Sequence, residues 1–188
     1  MKKIAIIASG SGSNAENIIR FFGDDASVSF PLIISNKPDA YVHERAKQLN
    51  VPSVTVTKAG FENGEALKLL KEYDIDFIVL AGFLLKVPEA ILKEYRGRII
   101  NIHPALLPKY GGKGMYGNKV HEAVVAAGEK ETGITIHYVN EHYDEGEIIF
   151  QAKCEVLPTD TPDRVAEKVH QLEYLHYPRV IKELRTKN

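Results

Sequence analysis

The chain has 188 residues, 44% hydrophobic and 26% charged, with 24 Lys and Arg against 25 Asp and Glu. At this length one domain with an ordinary core is expected, and a net charge of -1 removes the electrostatic reason to expect nucleic-acid binding, which needs clustered positive charge. Cys154 is the single cysteine, so neither an internal disulfide nor a C-x-x-C zinc pair is available, and no apolar run approaches the roughly 18 residues of a membrane helix. A cytoplasmic protein with no metal and no membrane or nucleic-acid partner is the expectation.

From the N-terminus, short apolar runs alternate with helical patterns, which is the signature of βαβ units and a mostly parallel sheet. Lys3–Ala8 reads as a buried strand, Ala15–Phe22 as a helix, Phe30–Ile34 as a strand and Ala40–Leu49 as a helix. Val54–Thr57, Phe77–Ala81 and Arg98–Ile102 read as further strands, with helices over Glu65–Tyr73 and from Pro88 to about Tyr95. Pro104–Gly117 holds two prolines and four glycines, a loop too long for a simple connector. Val120–Ala127 looks helical. Gly133–Val139 alternates with period two, and Glu147–Val156 follows after a loop short enough to make the two strands antiparallel neighbours. Thr161-Pro162-Asp163 is a start signal for a long terminal helix, or two, reaching Leu184. The fold class is therefore α/β, a single Rossmann-like domain with flanking helices. Its mostly parallel sheet closes with a C-terminal antiparallel pair.

Ser9-Gly10-Ser11-Gly12-Ser13-Asn14 lies between the first strand and the first helix, where free N–H groups and the helix dipole favour an anion. Ser13 and Glu16 fit a capping box that starts the helix. A dinucleotide fold would carry an acid after the second strand; this one ends Ile34-Ser35-Asn36. The turn reads as a phosphate or phosphate-ester site, with a bland tight turn as the alternative. Asn101-Ile102-His103-Pro104 sits at a strand's carboxyl end, and alternation places Asn101 and His103 on one face. An amide donor beside an imidazole suits acyl transfer, and with no G-x-S-x-G elbow the nucleophile would be a substrate amine. A histidine merely satisfied at a strand end is the bland alternative. In Asn140–Gly146 several carboxylates compete for the role of charging His103, and spacing does not choose among them.

These motifs, with Leu80-Ala81-Gly82-Phe83 and the run Asn101-Ile102-His103-Pro104-Ala105-Leu106-Leu107-Pro108, resemble the folate-dependent formyltransferases over essentially the whole chain. The serine-rich first turn narrows the likeness to their glycinamide ribonucleotide branch. The resemblance implies formyl transfer from 10-formyltetrahydrofolate, as co-substrate, to the amine of 5'-phosphoribosylglycinamide in purine synthesis. It implies Asn101 and His103 as oxyanion stabilisers, His103 as proton donor, and Asp144 keeping His103 protonated. It also implies Gly12, Ser13 and Asn14 on the phosphate, Glu173 on the ribonucleotide, and the folate along Leu84, Leu85, Lys86, Val87, Asn101 and the Asn140–Asp144 loop, with His137 in support. Residues 1–100 would then form a phosphate-binding half and 101–188 a catalytic, folate-binding half, in a monomer or homodimer. Two departures from the family stand out. Leu84-Leu85-Lys86-Val87 replaces Met-Arg-Ile-Leu, and Gly64 stands where some relatives carry a folate-contacting arginine. Tyr110–Gly117 is richer in glycine than in some relatives and reads as a mobile flap.

Formyltetrahydrofolate deformylase is the nearest rival and methionyl-tRNA formyltransferase the next. Each carries a further domain, and the length of this chain speaks against both. A nucleotide-binding module without catalysis would not need Asn101, His103 and Asp144 together, and a nicotinamide oxidoreductase would want the missing acid.

Overall fold

The structure, a computed structural model, describes residues 1–187. Seven strands form one sheet in the order β3-β2-β1-β4-β5-β6-β7. They are β1 (Lys2–Ile7), β2 (Val28–Ser35), β3 (Ser53–Thr55), β4 (Phe77–Leu80), β5 (Ile99–His103), β6 (Glu131–Tyr138) and β7 (Ile148–Glu155). The first five are parallel; β6 and β7 run antiparallel. Alternation along β1 explains the layers. Ile4, Ile6 and Ala8 face one apolar cluster, and Ala5 and Ile7 the other. On the first face lie α1 (Ser13–Phe22), α2 (Val42–Gln48), α6 (Asn118–Ala126) and the 23-residue α7 (Pro162–Leu184). The second face is covered by α3 (Lys58–Glu62), α4 (Glu65–Glu72) and α5 (Glu89–Glu94).

The expected α/β class and strand pairings hold, with three differences of physical interest. Helix α3 was not foreseen, because five residues show no apolar period; the Thr57 hydroxyl accepting the Gly60 amide at 3.1 Å starts it. The expected capping box is absent. Gly12 occupies the N-cap in left-handed conformation (φ 75°) and offers no side chain, the Ser13 amide reaches Ser11 Oγ at 3.4 Å, and Glu16 turns to Arg20 and Arg45 instead. A side chain at Gly12 would overlap Val42. Strand β6 alternates with period two, yet Thr132 to His137 are all buried. The loop after β5 covers the second face: Thr135 Oγ1 donates to Ala105 O at 2.7 Å and accepts from Leu107 N at 3.0 Å.

The chain order reverses direction at β1 and β4, and ligands of open α/β sheets bind beside such a switch point, at the carboxyl ends of the strands. The turn after β1, the segment after β4 and His103 ending β5 all lie at that edge. Tyr177 of α7, fully buried, donates its hydroxyl to Leu80 O at 2.7 Å where β4 ends. Among the described residues no helix is long and apolar enough to cross a membrane. Removing the Tyr177 hydroxyl leaves a buried carbonyl short of a donor. Tyr177→Phe is therefore expected to cost about 1–2 kcal/mol, a fall in Tm of roughly 3–6 °C in a thermal melt.

Candidate active site

One cleft of about 590 Å³ opens at this edge, and its walls collect the candidate catalytic, phosphate and folate residues named from the sequence. Gly12, Ser13 and Asn14 stand at one side and Leu84–Val87 at another; Asn101 and His103 come from β5, His137 from β6, Asn140 and Asp144 from the β6–β7 loop, and Glu173 from α7. Gly64 heads α4 outside the cleft wall. Gly112–Gly117 of the glycine-rich loop contribute to the wall.

The strand register explains how these polar side chains meet. Asn101 is opposite His137, and His103 opposite Thr135. Asn101 Nδ2 lies 3.3 Å from His137 Nε2, while His137 Nδ1 is 2.9 Å from Tyr138 O. A carbonyl only accepts, so Nδ1 carries a proton, and in the neutral ring Nε2 accepts from Asn101. His137 thereby orients the Asn101 amide.

His103 is 4% exposed and engaged at both nitrogens. Its Nε2–H donates to Tyr110 O at 2.7 Å, and its Nδ1 faces Asp144 Oδ2 at 3.6 Å. Of the carboxylates that spacing left open, Asp144 is the one that reaches the imidazole. Glu141 and Glu145 are exposed and pair with His142. Asp144 also accepts the Gly112 amide at 2.9 Å, lies 3.7 Å from His137 Nε2, and holds left-handed backbone (φ 54°). The amide and the two imidazoles outweigh burial and hold its carboxyl below the usual carboxylate range.

Asp144 is placed to favour a protonated His103, and burial opposes it. Burial pushes the His103 imidazole down, Asp144 and the Tyr110 carbonyl pull it up, and burial prevails, leaving it below its ordinary value. Its Nε2 carries a proton in either state, because Tyr110 O only accepts.

At the far end, Asn14 Nδ2 donates to Glu173 Oε1 at 3.2 Å, and burial raises the Glu173 carboxyl to about 7. The first turn of α1 lies beside it; the N-cap Gly12 offers no side chain, and the Ser13 amide donates to Ser11 Oγ at 3.4 Å. Sequence reasoning missed Tyr110, whose contribution is a carbonyl and so invisible in side-chain chemistry. It also missed His121 and His170, which line the same end. Among the described residues no group of three or more His, Cys, Asp or Glu is placed to hold a metal ion.

Comparison with known proteins agrees with this geometry. The family model described as "Formyl transferase" matches residues 2–181. The chain is 38% identical to phosphoribosylglycinamide formyltransferase of Bacillus subtilis, over 98% of this chain and 95% of that one. It is 39% identical to the chloroplastic phosphoribosylglycinamide formyltransferase of Arabidopsis thaliana, over 96% of this chain. It spans 64% of that relative's length, and 14% of a Drosophila melanogaster protein named trifunctional purine biosynthetic protein adenosine-3. The crystal structure of phosphoribosylglycinamide formyltransferase from Streptococcus pneumoniae superposes with a TM-score of 0.87 at 39% identity, covering 99% of this chain and all of that one. The chain belongs to the formyl transferase family. Its place there is among the phosphoribosylglycinamide formyltransferases.

Burial of these histidines makes the fold sensitive to acid. His121, 2% exposed with Nδ1 unpartnered, is lowered to about 4 by burial and by the nearby His170 and His103. The unfolded chain takes up that proton near pH 6.5 and the folded one only near 4, so stability is complete above about 6.5 and is lost as pH falls. Between pH 7.5 and 5 His121 alone is expected to remove about 2 kcal/mol, read from urea unfolding at both pH values, and His121→Gln to flatten the difference.

Proposed function

We propose that the protein transfers the formyl group of 10-formyltetrahydrofolate to the amine of 5'-phosphoribosylglycinamide, a step of de novo purine (IMP) biosynthesis, in the cytoplasm. The observation that carries this reading is the convergence of Asn101, His103 and Asp144 with the glycine turn at the α1 N-terminus in one cleft of a family member. Residues 1–100 supply the phosphate side through Gly12, Ser13 and Asn14, and Glu173 reaches across from α7 to the ribonucleotide. The donor lies along Leu84, Leu85, Lys86 and Val87 and against Asn140–Asp144. The amides of Leu85, Lys86 and Val87 have no hydrogen-bond partner among the described residues, which suits a ring recognised through its polar edge.

The substrate amine attacks the formyl carbon, a carbon–nitrogen bond forms, and the carbonyl oxygen gains the electron pair. Asn101 Nδ2 and the Nε2–H of His103, released from Tyr110 O, donate to that oxyanion. Asp144, beside Nδ1, favours the protonated ring against burial and so strengthens its donation to the forming oxyanion. Collapse breaks the bond to the folate nitrogen, and the proton shed by the attacking nitrogen passes through His103 to that leaving nitrogen. No protein nucleophile is required.

A paired assay tests this: loss of 10-formyltetrahydrofolate followed by absorbance, with and without phosphoribosylglycinamide. Consumption should require the ribonucleotide; consumption without it makes water the acceptor and the protein a deformylase. His103→Ala and Asp144→Asn should each lower kcat about 10²- to 10⁴-fold with KM values little changed. An effect on KM alone would sink the assignment. Ser13→Asp, placing a charge at the phosphate, should raise KM for the ribonucleotide about tenfold or more and leave the folate unaffected.

A further inference from the structure

Three loops of the carboxyl edge meet at one hydroxyl outside the catalytic group. Ser9, 3% exposed, follows β1. Its Oγ accepts the Leu84 amide at 2.9 Å and donates to Asn36 Oδ1 at 2.7 Å, and its own amide donates to Gly82 O at 3.1 Å. A hydroxyl has one proton. With the proton committed to the Asn36 oxygen, a lone pair is left facing the Leu84 N–H. Asn36 is the residue after β2 where a dinucleotide fold would carry its acid; here it orients a serine instead.

The segment that this contact holds is otherwise weakly fixed at Leu84. Gly82 has φ 73°, a left-handed hinge, and the Leu84 side chain is 40% exposed, so apolar packing does not locate its backbone. Phe83 and Leu85 pack only partly against the second apolar cluster, and Val87 is the next buried position. Ser9 is thus the tie between the turn after β1 and the start of the 84–87 segment.

We propose that Ser9 is a positioning residue for the donor site: its hydroxyl, aimed by Asn36, pre-orders Leu84–Val87 so that the folate meets a set backbone edge. The inference rests on the reading of Leu84–Val87 as the folate segment. Removing the hydroxyl frees Leu84 about the Gly82 hinge, and the donor then has to order the segment as it binds. The sugar-phosphate end keeps Gly12, Ser13 and Asn14 and should be indifferent.

The test is steady-state kinetics and Leu84 amide exchange on Ser9→Ala, Asn36→Ala, the double variant and Ser9→Thr. Each single alanine should raise KM for 10-formyltetrahydrofolate about 5- to 10-fold, as for one lost hydrogen bond, with kcat and KM for phosphoribosylglycinamide within about twofold. The double variant should resemble the singles, because both act through one contact. Ser9→Thr, which keeps the hydroxyl, should restore the donor KM. If threonine does not fit at so buried a position, the alanine pair and its double carry the test. An unchanged donor KM, or both KM values rising together as in a merely structural loss, overturns the proposal. If the wild type does not consume the donor with phosphoribosylglycinamide, the catalytic reading has failed and exchange decides. Faster exchange of the Leu84 amide in Ser9→Ala then keeps the positioning role, and unaltered exchange overturns it.

Discussion

The arrangement of the cleft depends on one imidazole held in a dry place between a carbonyl and a carboxylate. Water's absence lowers the affinity of His103 for a second proton, and Asp144 raises it by a smaller amount. A site in which burial and a neighbouring carboxylate oppose each other responds strongly to new charge. Tyr110 and Asp144, the residues that grip the ring, both have left-handed backbones, with φ of 57° and 54°. Such conformations are uncommon away from glycine and persist where surrounding contacts over-determine them, here the Gly112 amide on Asp144 and the His103 proton on Tyr110 O.

Much of this was legible in the sequence because the physics is local. The i, i+2 spacing of Asn101 and His103 puts them on one strand face whatever the rest of the chain does, and the glycine turn announces itself by composition. Strand order, pairing direction and the terminal helix with its Thr161-Pro162 start were equally readable, since apolar periodicity and caps act over a few residues. What was not readable depends on distance. The choice of Asp144 over Glu141 and Glu145 is made by a loop fold, and the balance of burial against charge at His103 needs the whole shell around it. The capping box failed for a related reason. Its residue types were correct, but Arg45 arrives from α2 to take Glu16, and Gly12 already supplies the entry geometry.

The departures from the family pattern acquire a physical meaning in the fold. Gly64 caps α4 with φ 94°, a backbone that an arginine would adopt only under strain, so its difference belongs to a helix start rather than to the cleft. Leu84-Leu85-Lys86-Val87 lines the cleft, and its amides, unlike its side chains, do not depend on residue type. A segment that serves through its backbone can change sequence freely provided something else sets its path.

The pairing of β5 with β6 has a consequence for how the protein can fail. Strand faces alternate with period two, so sliding β6 by one residue would leave Asn101 opposite Ile136 or Tyr138 and turn His137 to the other side of the sheet. Such a species would also turn Ile134 and Ile136 out of the first apolar cluster, so it would lose core burial together with the site. The neighbouring β6–β7 pairing is held by two glycines. A Cβ at Gly133 would overlap Ala152 O, and one at Gly146 would overlap Tyr138 O, so bare backbone is needed at both points of closest approach across it. The glycines act as alignment pins, and the fidelity of assembly is written into two residues that never meet a substrate.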